Sequence, residues 1–255
     1  GAIRERLLRM TEGQIRALGI VRTMKRLLVE GCAGSGKTLL AVRLAHDHLQ
    51  QGKRVLFTCF NKNLAIHLAT EFEGYENIDV INFHELVRVK CEQSRIPYEV
   101  PDDRELLPDF FRNSCLDLLM QATERDAVRY DTIIVDEGLD FLETWWIALE
   151  GLGVEDCSFY AFYDTRQAIF TEKAEWQPPF SCEPIRLEMN VRNTRPVGQL
   201  ANRLGELNEE HLYAVNDGPE SVTVSYETVA EQVEKIREII QELIGRRKVA
   251  PEEIV

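Results

Sequence analysis

Arg26-Leu27-Leu28-Val29-Glu30-Gly31-Cys32-Ala33-Gly34-Ser35-Gly36-Lys37-Thr38 decides the fold. A short apolar run suited to a buried strand opens into a glycine-rich turn. Leu39-Leu40-Ala41-Val42-Arg43-Leu44-Ala45 then follows with helical patterning. Residues 31–38 match G-x4-G-K-T in the strand–loop–helix setting that this pattern requires. Glycines let the backbone curl so that successive N–H groups face one anion, and the helix N-terminus adds its partial positive charge. Gly31, Gly34, Ser35, Gly36, Lys37 and Thr38 are therefore the expected cradle for the phosphates of ATP. Lys37 would neutralise the β- and γ-phosphates, and the Thr38 hydroxyl would ligate Mg2+.

Hydrolysis needs a second element. Thr132-Ile133-Ile134-Val135 reads as a buried strand ending in Asp136-Glu137, at the sheet edge where ligands of open α/β folds sit. Such a pair on its own equally begins a helix as a cap. Beside a phosphate loop, Asp136 reads as a Mg2+ ligand and Glu137 as the general base for an attacking water.

Outward from these two stretches, apolar runs alternate with amphipathic ones, the pattern of βα units around a mainly parallel sheet. The expected strands are 26–30, 54–60, 78–83, 132–136, 158–163, 185–189 and 221–226. Helices are expected over 37–51, 62–72, 105–127, 194–207 and 229–246, the last with Val229, Val233, Ile236, Ile240, Leu243 and Ile244 on one stripe. Residues 88–129 read as a small helical insertion. The proline-rich run through Pro178, Pro179 and Pro184 reads as a boundary.

At 255 residues and 44% hydrophobic content the chain can bury a full core, and no run approaches a membrane span. A cytoplasmic protein is expected. The six cysteines are never closer than 24 residues, so no CxxC pair marks a zinc or redox motif. The net charge of −13 excludes a protein that coats nucleic acid through its overall field. Residues 1–60 nevertheless hold eleven Lys/Arg against four Asp/Glu, a net of +7, which leaves −20 for the rest. A local anionic ligand near that basic part fits the distribution. Both ends read as cut, the first for want of Met and the last because an apolar run begins at Ile254.

Several further blocks give the whole chain a resemblance. Thr11-Glu12-Gly13-Gln14 precedes the loop. Thr58-Cys59-Phe60-Asn61-Lys62-Asn63-Leu64-Ala65 and Asn82-Phe83-His84-Glu85-Leu86 follow it. Tyr163-Asp164-Thr165-Arg166-Gln167-Ala168-Ile169-Phe170 and Leu187-Glu188-Met189-Asn190-Val191-Arg192-Asn193-Thr194 come later. In this order the chain resembles the first part of a Rep/UvrD-like superfamily 1 helicase. The resemblance implies that Gln14 reads adenine, that Phe60, Asn61, Lys62 and His84 contact single-stranded DNA, that Gln167 senses the γ-phosphate, and that Arg192 reaches it across a cleft. Other readings of the same residues stand beside these: Gln14 at a helix start, Phe60 as core, Asn61 as an N-cap, His84 as structural and Arg192 as a surface residue. One departure is plain. Where the family writes Asp-Glu-Ala-Gln-Asp, this chain writes Asp136-Glu137-Gly138-Leu139-Asp140, with Leu139 replacing a coupling Gln.

The expectation is an α/β structure with a RecA-like P-loop NTPase domain over 1–184, carrying the helical insertion at about 88–129, followed by an incomplete second RecA-like domain over 185–255. Its expected function is ATP binding and hydrolysis driving translocation on, or unwinding of, DNA. Taken alone, this part would be poorly active without the remaining motor domains of a longer chain. Backbone and stacking contacts discriminate weakly between DNA and RNA. The rival reading is a nucleotide-gated P-loop switch without helicase activity.

Overall fold

The computed structural model describes residues 12–164, 177–204, 212–215 and 218–251. In chain order these form α1 (Glu12–Val21), β1 (Arg26–Gly31), α2 (Lys37–Gln50), β2 (Val55–Cys59), α3 (Lys62–Glu71), β3 (Ile78–Asn82) and α4 (Phe83–Gln93). A short turn at Leu107–Asp109 and a π-helical turn at Phe110–Ser114 lead into α5 (Cys115–Arg125). Then come β4 (Tyr130–Asp136), a 3-10 turn (Gly138–Asp140), α6 (Glu143–Gly151), β5 (Gly153–Tyr163), β6 (Ile185–Leu187), β7 (Met189–Thr194), α7 (Arg195–Leu204), β8 (Leu212–Val215) and α8 (Val229–Gly245).

Six strands form one parallel sheet in the order β3-β2-β4-β5-β1-β6, so the class is α/β as expected. From β1 the chain moves through α2 and α3 to the β3 edge, then turns back through α4, α5 and α6 to β4 and β5. Right-handed crossovers running in opposite directions place their helices on opposite faces. The core follows. Leu27 and Val29 of β1, Val55 and Phe57 of β2, Ile134 of β4 and Tyr160 and Phe162 of β5 pack against Leu40, Leu44 and Leu49 of α2 and Leu68 of α3. The alternate residues Leu28, Leu56, Ile133, Val135, Phe159 and Ala161 face α4, α5 and α6. This period-2 division is what a sheet covered on both faces demands. The stretch 88–129 is thereby the β3-to-β4 crossover: Cys91, Cys115, Leu119 and Ala122 lie in the core with the strands.

Two compact units divide the described residues, one of 12–194 with 212–215, the other of 195–204 with 218–251. In the first, the run expected as one strand over 185–189 is split. β6 joins the main sheet beside β1, and β7 pairs with β8 in a two-stranded sheet. The compact units thus part after Thr194, later than residue 184.

In the second unit, α8 is capped by Thr228, whose side chain accepts the Glu231 N–H at 3.2 Å, while the Glu231 carboxylate accepts the Glu227 N–H. The strand expected over 221–226 is not formed. Val222 is 82% exposed, and no described strand pairs with the run; alternation without a neighbouring edge gives no ladder. Among the described residues no helix is long and apolar enough to cross a membrane.

One buried ion pair ties α4 to the C-terminal end of α5. Lys90 of α4, 2% exposed, donates to Asp126 at 2.8 Å, and Asp126 also accepts the Val128 N–H. Burial pushes the Asp126 carboxyl up, but the hydrogen bonds from Lys90 and Val128 outweigh it and hold the group below the usual range. The pair's contribution is therefore fully present above the unfolded carboxylate value and is lost as pH falls through the folded one. Asp126→Asn, which strands a buried ammonium, is expected to destabilise the fold by about 3 kcal/mol. Adding Lys90→Met to it recovers much of the loss. Urea denaturation of both variants at neutral pH measures this, and a change under about 0.5 kcal/mol for Asp126→Asn would contradict the assignment.

Candidate functional site

All the strand tips that matter lie along the C-terminal edge of the sheet, because the six strands are parallel. β1 ends in Gly31, and the loop returns to α2 at Lys37. Gly34 and Gly36 adopt φ of 83° and 90°, the left-handed region that costs an L side chain energy. A Cβ at Gly36 would meet Gln14 Nε2 at 2.1 Å, and one at Gly34 would meet Asn190 Oδ1 at 2.6 Å. The glycines are thus needed both for the curl and for close neighbours.

Lys37, 6% exposed, donates to the carbonyls of Gly31 (2.8 Å) and Cys32 (3.2 Å) and stands 3.9 Å from Asp164, at the end of β5. The Thr38 hydroxyl donates to Asp136 Oδ2 at 2.6 Å, so the phosphate loop and the acidic strand tip meet. Asp136 is fully buried and also accepts the Glu137 N–H at 3.0 Å. Burial pushes the Asp136 carboxyl above its ordinary value, against the pull of Thr38 and Lys37. Glu137 is pushed up to about 7, first by burial and then by the Asp136 charge beside it. It has φ 53°, left-handed for a residue with a side chain, so the backbone stores strain at the acidic tip. Cys59, in register with Asp136, is pushed up to about 12 by burial and then by the two carboxylates, and stays a neutral thiol.

These groups fit a nucleotide with Mg2+. The Ser35 hydroxyl is buried under the loop with no hydrogen-bond partner among the described residues, an orphan that a ligand oxygen would satisfy. Thr38 and Asp136 offer one hydroxyl and one carboxylate. That is a suitable set for Mg2+, which takes one or two carboxylates and completes its shell with phosphates and water. No cluster of three or more His, Cys, Asp or Glu occurs among the described residues, as such a shared site requires none.

The other candidates fall in two places. Gln14, 3% exposed on α1, donates to the Ser35 carbonyl at 2.9 Å, so it touches the loop itself. Arg192 has an exposed side chain, and its Cβ lies 3.2 Å from where a Cβ on Gly34 would stand. Gln167 lies outside the described residues.

Phe60, Asn61, Lys62 and His84 gather at the tips of β2 and β3. Asn61 caps α3 by accepting the N–H groups of Asn63 and Leu64, and Lys62 is exposed. Phe60 is half-buried, stacked on Trp145 (6.2 Å, 14°) and edge-on to His84 (5.7 Å). His84 is half-buried too; burial lowers its pKa, and its Nδ1 is buried without a hydrogen-bond partner. Sequence reasoning missed Trp145 of α6 as the floor of this cluster, though the pair Trp145-Trp146 was the available signal. It also missed Asn190, whose signal was its place two residues before Arg192.

The model of the family described as Type III restriction enzyme, res subunit, matches residues 4–138, more than half of the chain. No curated protein matches it. Among solved structures the chain is similar to two coordinating Pif1 helicases on forked double-stranded DNA (20% identity over 65% of this chain and 36% of that one, TM-score 0.38). It is also similar to Bacteroides Pif1 bound to single-stranded DNA (19%, 65% and 34%, TM-score 0.36). A third is the Pif1 helicase from Candida albicans (17%, 70% and 39%, TM-score 0.40). The chain spans less than two-fifths of the length of each of these structures.

Gly36→Ala places a Cβ on a left-handed residue, at a cost of about 1–2 kcal/mol, and displaces Gln14 from the Ser35 carbonyl. Its affinity for Mg·ATP is expected to fall about tenfold. Titration with a fluorescent nucleotide measures this, and unchanged affinity would contradict the loop geometry.

Proposed function

The chain belongs to the family described as Type III restriction enzyme, res subunit, and on that footing we propose that it is the ATP-binding and ATP-hydrolysing part of a motor that moves along DNA. The observation that carries the reading is the 2.6 Å contact between Thr38 of the phosphate loop and Asp136 of the acidic strand tip, with Glu137 next in the chain. The ordered blocks resembling a Rep/UvrD-like superfamily 1 helicase support the finer assignment.

In this reading the loop N–H groups and Lys37 hold the phosphates. Lys37 enters that role from the Gly31 and Cys32 carbonyls, which a phosphate oxygen replaces as its partners. Thr38 and Asp136 would hold Mg2+, which would offset the negative charge of the phosphate oxygens. Glu137 takes a proton from the attacking water as its oxygen bonds to the γ-phosphorus, and the bond to the bridging oxygen breaks to leave ADP and phosphate. Arg192 and Gln167 are assigned to the γ-phosphate by the resemblance. Phe60, Lys62 and His84, with the turn at Asn61, offer a stacking and phosphate surface for a single strand of DNA, the proposed partner, and further motor domains of a longer chain would complete the cycle.

Two measurements test the reading. Glu137→Gln should bind Mg·ATP about as the parent does while its turnover falls by about 10²-fold or more; equal turnover would remove Glu137 from the base role. Phe60→Ala combined with Lys62→Ala should weaken single-stranded DNA binding in low salt by about tenfold. A parent that binds no strand, or a double variant that binds as well, would favour a nucleotide-gated switch over a motor.

A further inference from the structure

Three consecutive carbonyls of the phosphate loop are each held by a donor from outside it. Ala33 accepts Asn190 Nδ2 at 2.9 Å, Gly34 accepts the Val191 N–H at 2.8 Å, and Ser35 accepts Gln14 Nε2 at 2.9 Å. A trans peptide is planar, with its C=O and N–H pointing opposite ways. Drawing the carbonyls of Ala33 and Ser35 outward therefore turns the N–H groups of Gly34 and Gly36 to the other side, where a cradle needs them. Two of the three donors come from adjacent residues of β7, the strand that also carries Arg192.

Asn190 is 4% exposed, and its amide is used at both ends. Its nitrogen reaches Ala33, while its Oδ1 accepts the N–H groups of Arg192 (3.2 Å) and Asn193 (2.9 Å), closing a tight turn. Only a short side chain with both a donor and an acceptor does this. Asp keeps the turn and loses the tie to the loop; Ala loses both. Gly34 leaves no slack between the two segments, since a Cβ there would lie 2.6 Å from Asn190 Oδ1.

We propose that Asn190 is a positioning residue that fastens the turn carrying Arg192 to the phosphate loop, so that binding of a nucleotide's phosphates and placement of Arg192 are one event. The proposal rests on the ATP-binding reading above. Phosphates that fix the loop's N–H groups fix the same peptide units whose carbonyls hold β7. The coupling must be reciprocal: a loosened turn weakens nucleotide binding, and a bound nucleotide stills the turn. No contact between Asn190 and the phosphates is required.

Hydrogen exchange on the full chain, with and without saturating Mg·ADP, tests this. In the parent, nucleotide should slow exchange at Arg192 and Asn193, whose N–H groups Asn190 holds, about tenfold, the worth of one good hydrogen bond. Asn190→Ala should abolish that slowing and bind the nucleotide several-fold more weakly. Asn190→Asp should keep the turn's protection without nucleotide yet lose the nucleotide-dependent part. A merely structural Asn190 would move the thermal transition and leave the nucleotide-dependent slowing intact, which overturns the proposal, as does a parent whose turn ignores the nucleotide. The parent measurement needs no variant, so poor folding of Asn190→Ala leaves the proposal testable, with Asn190→Ser as a second substitution. Lys37→Ala separates the two levels. If it binds nucleotide as the parent does, the ATP reading itself fails; if it loses binding and the parent's turn still ignores nucleotide, only the role of Asn190 fails.

Discussion

A fully buried carboxylate at the tip of β4 is the constraint around which the rest is arranged. Isolated, such a charge would be expelled or neutralised. Here the Thr38 hydroxyl and the Glu137 N–H satisfy Asp136, and Lys37 supplies nearby positive charge. β4 and β1 are not neighbours; β5 lies between them and brings Asp164 up to Lys37. Three parallel strand ends thus deliver one cation-seeking patch, with Glu137 at its rim in a strained backbone.

Continuous packing runs from this patch to the tips of β2 and β3. The 3-10 turn after Glu137 buries Leu139 in the same cluster as Phe141, Trp145 and Trp146. Phe83 stacks on Trp145 at 4.1 Å, and Phe60 and His84 lean on that ring. Where the resembled motif writes a Gln, this chain fills the position with an apolar side chain. The connection between the acidic tip and the Phe60 cluster is therefore van der Waals contact in a close-packed core. On the other side the loop is gripped by Gln14 and Asn190, so it is held from two elements besides its own strand and helix.

Much of this was legible because it is local. The loop's glycines, Lys37 and Thr38 declare their geometry by spacing alone, and six of the seven expected strands lie within a few residues of strands formed in the main sheet. Three kinds of feature were not legible. Helices α4 and α6 were missed because both begin directly after a strand or turn without a separating loop signal, and α6 is short, with two aromatic residues in its first turn. The expected strand over 221–226 shows the reverse error: alternation at Val222, Val224 and Tyr226 is necessary for a strand, but pairing decides it. The pairing of β6 with β1 and the tie from Asn190 to Ala33 depend on contacts more than 150 residues apart in the chain, which no local pattern encodes, and they part 185–187 from the strand that pairs with β8.

The most direct measurement of the central claim is calorimetric titration of the chain with ATP, in Mg2+ and again in excess chelator, for the parent and for Asp136→Asn. If Thr38 and Asp136 share one cation with the bound nucleotide, the parent loses much of its affinity when Mg2+ is removed, and the variant binds alike in both conditions. A parent indifferent to Mg2+, or a variant that keeps the full dependence, would contradict the account.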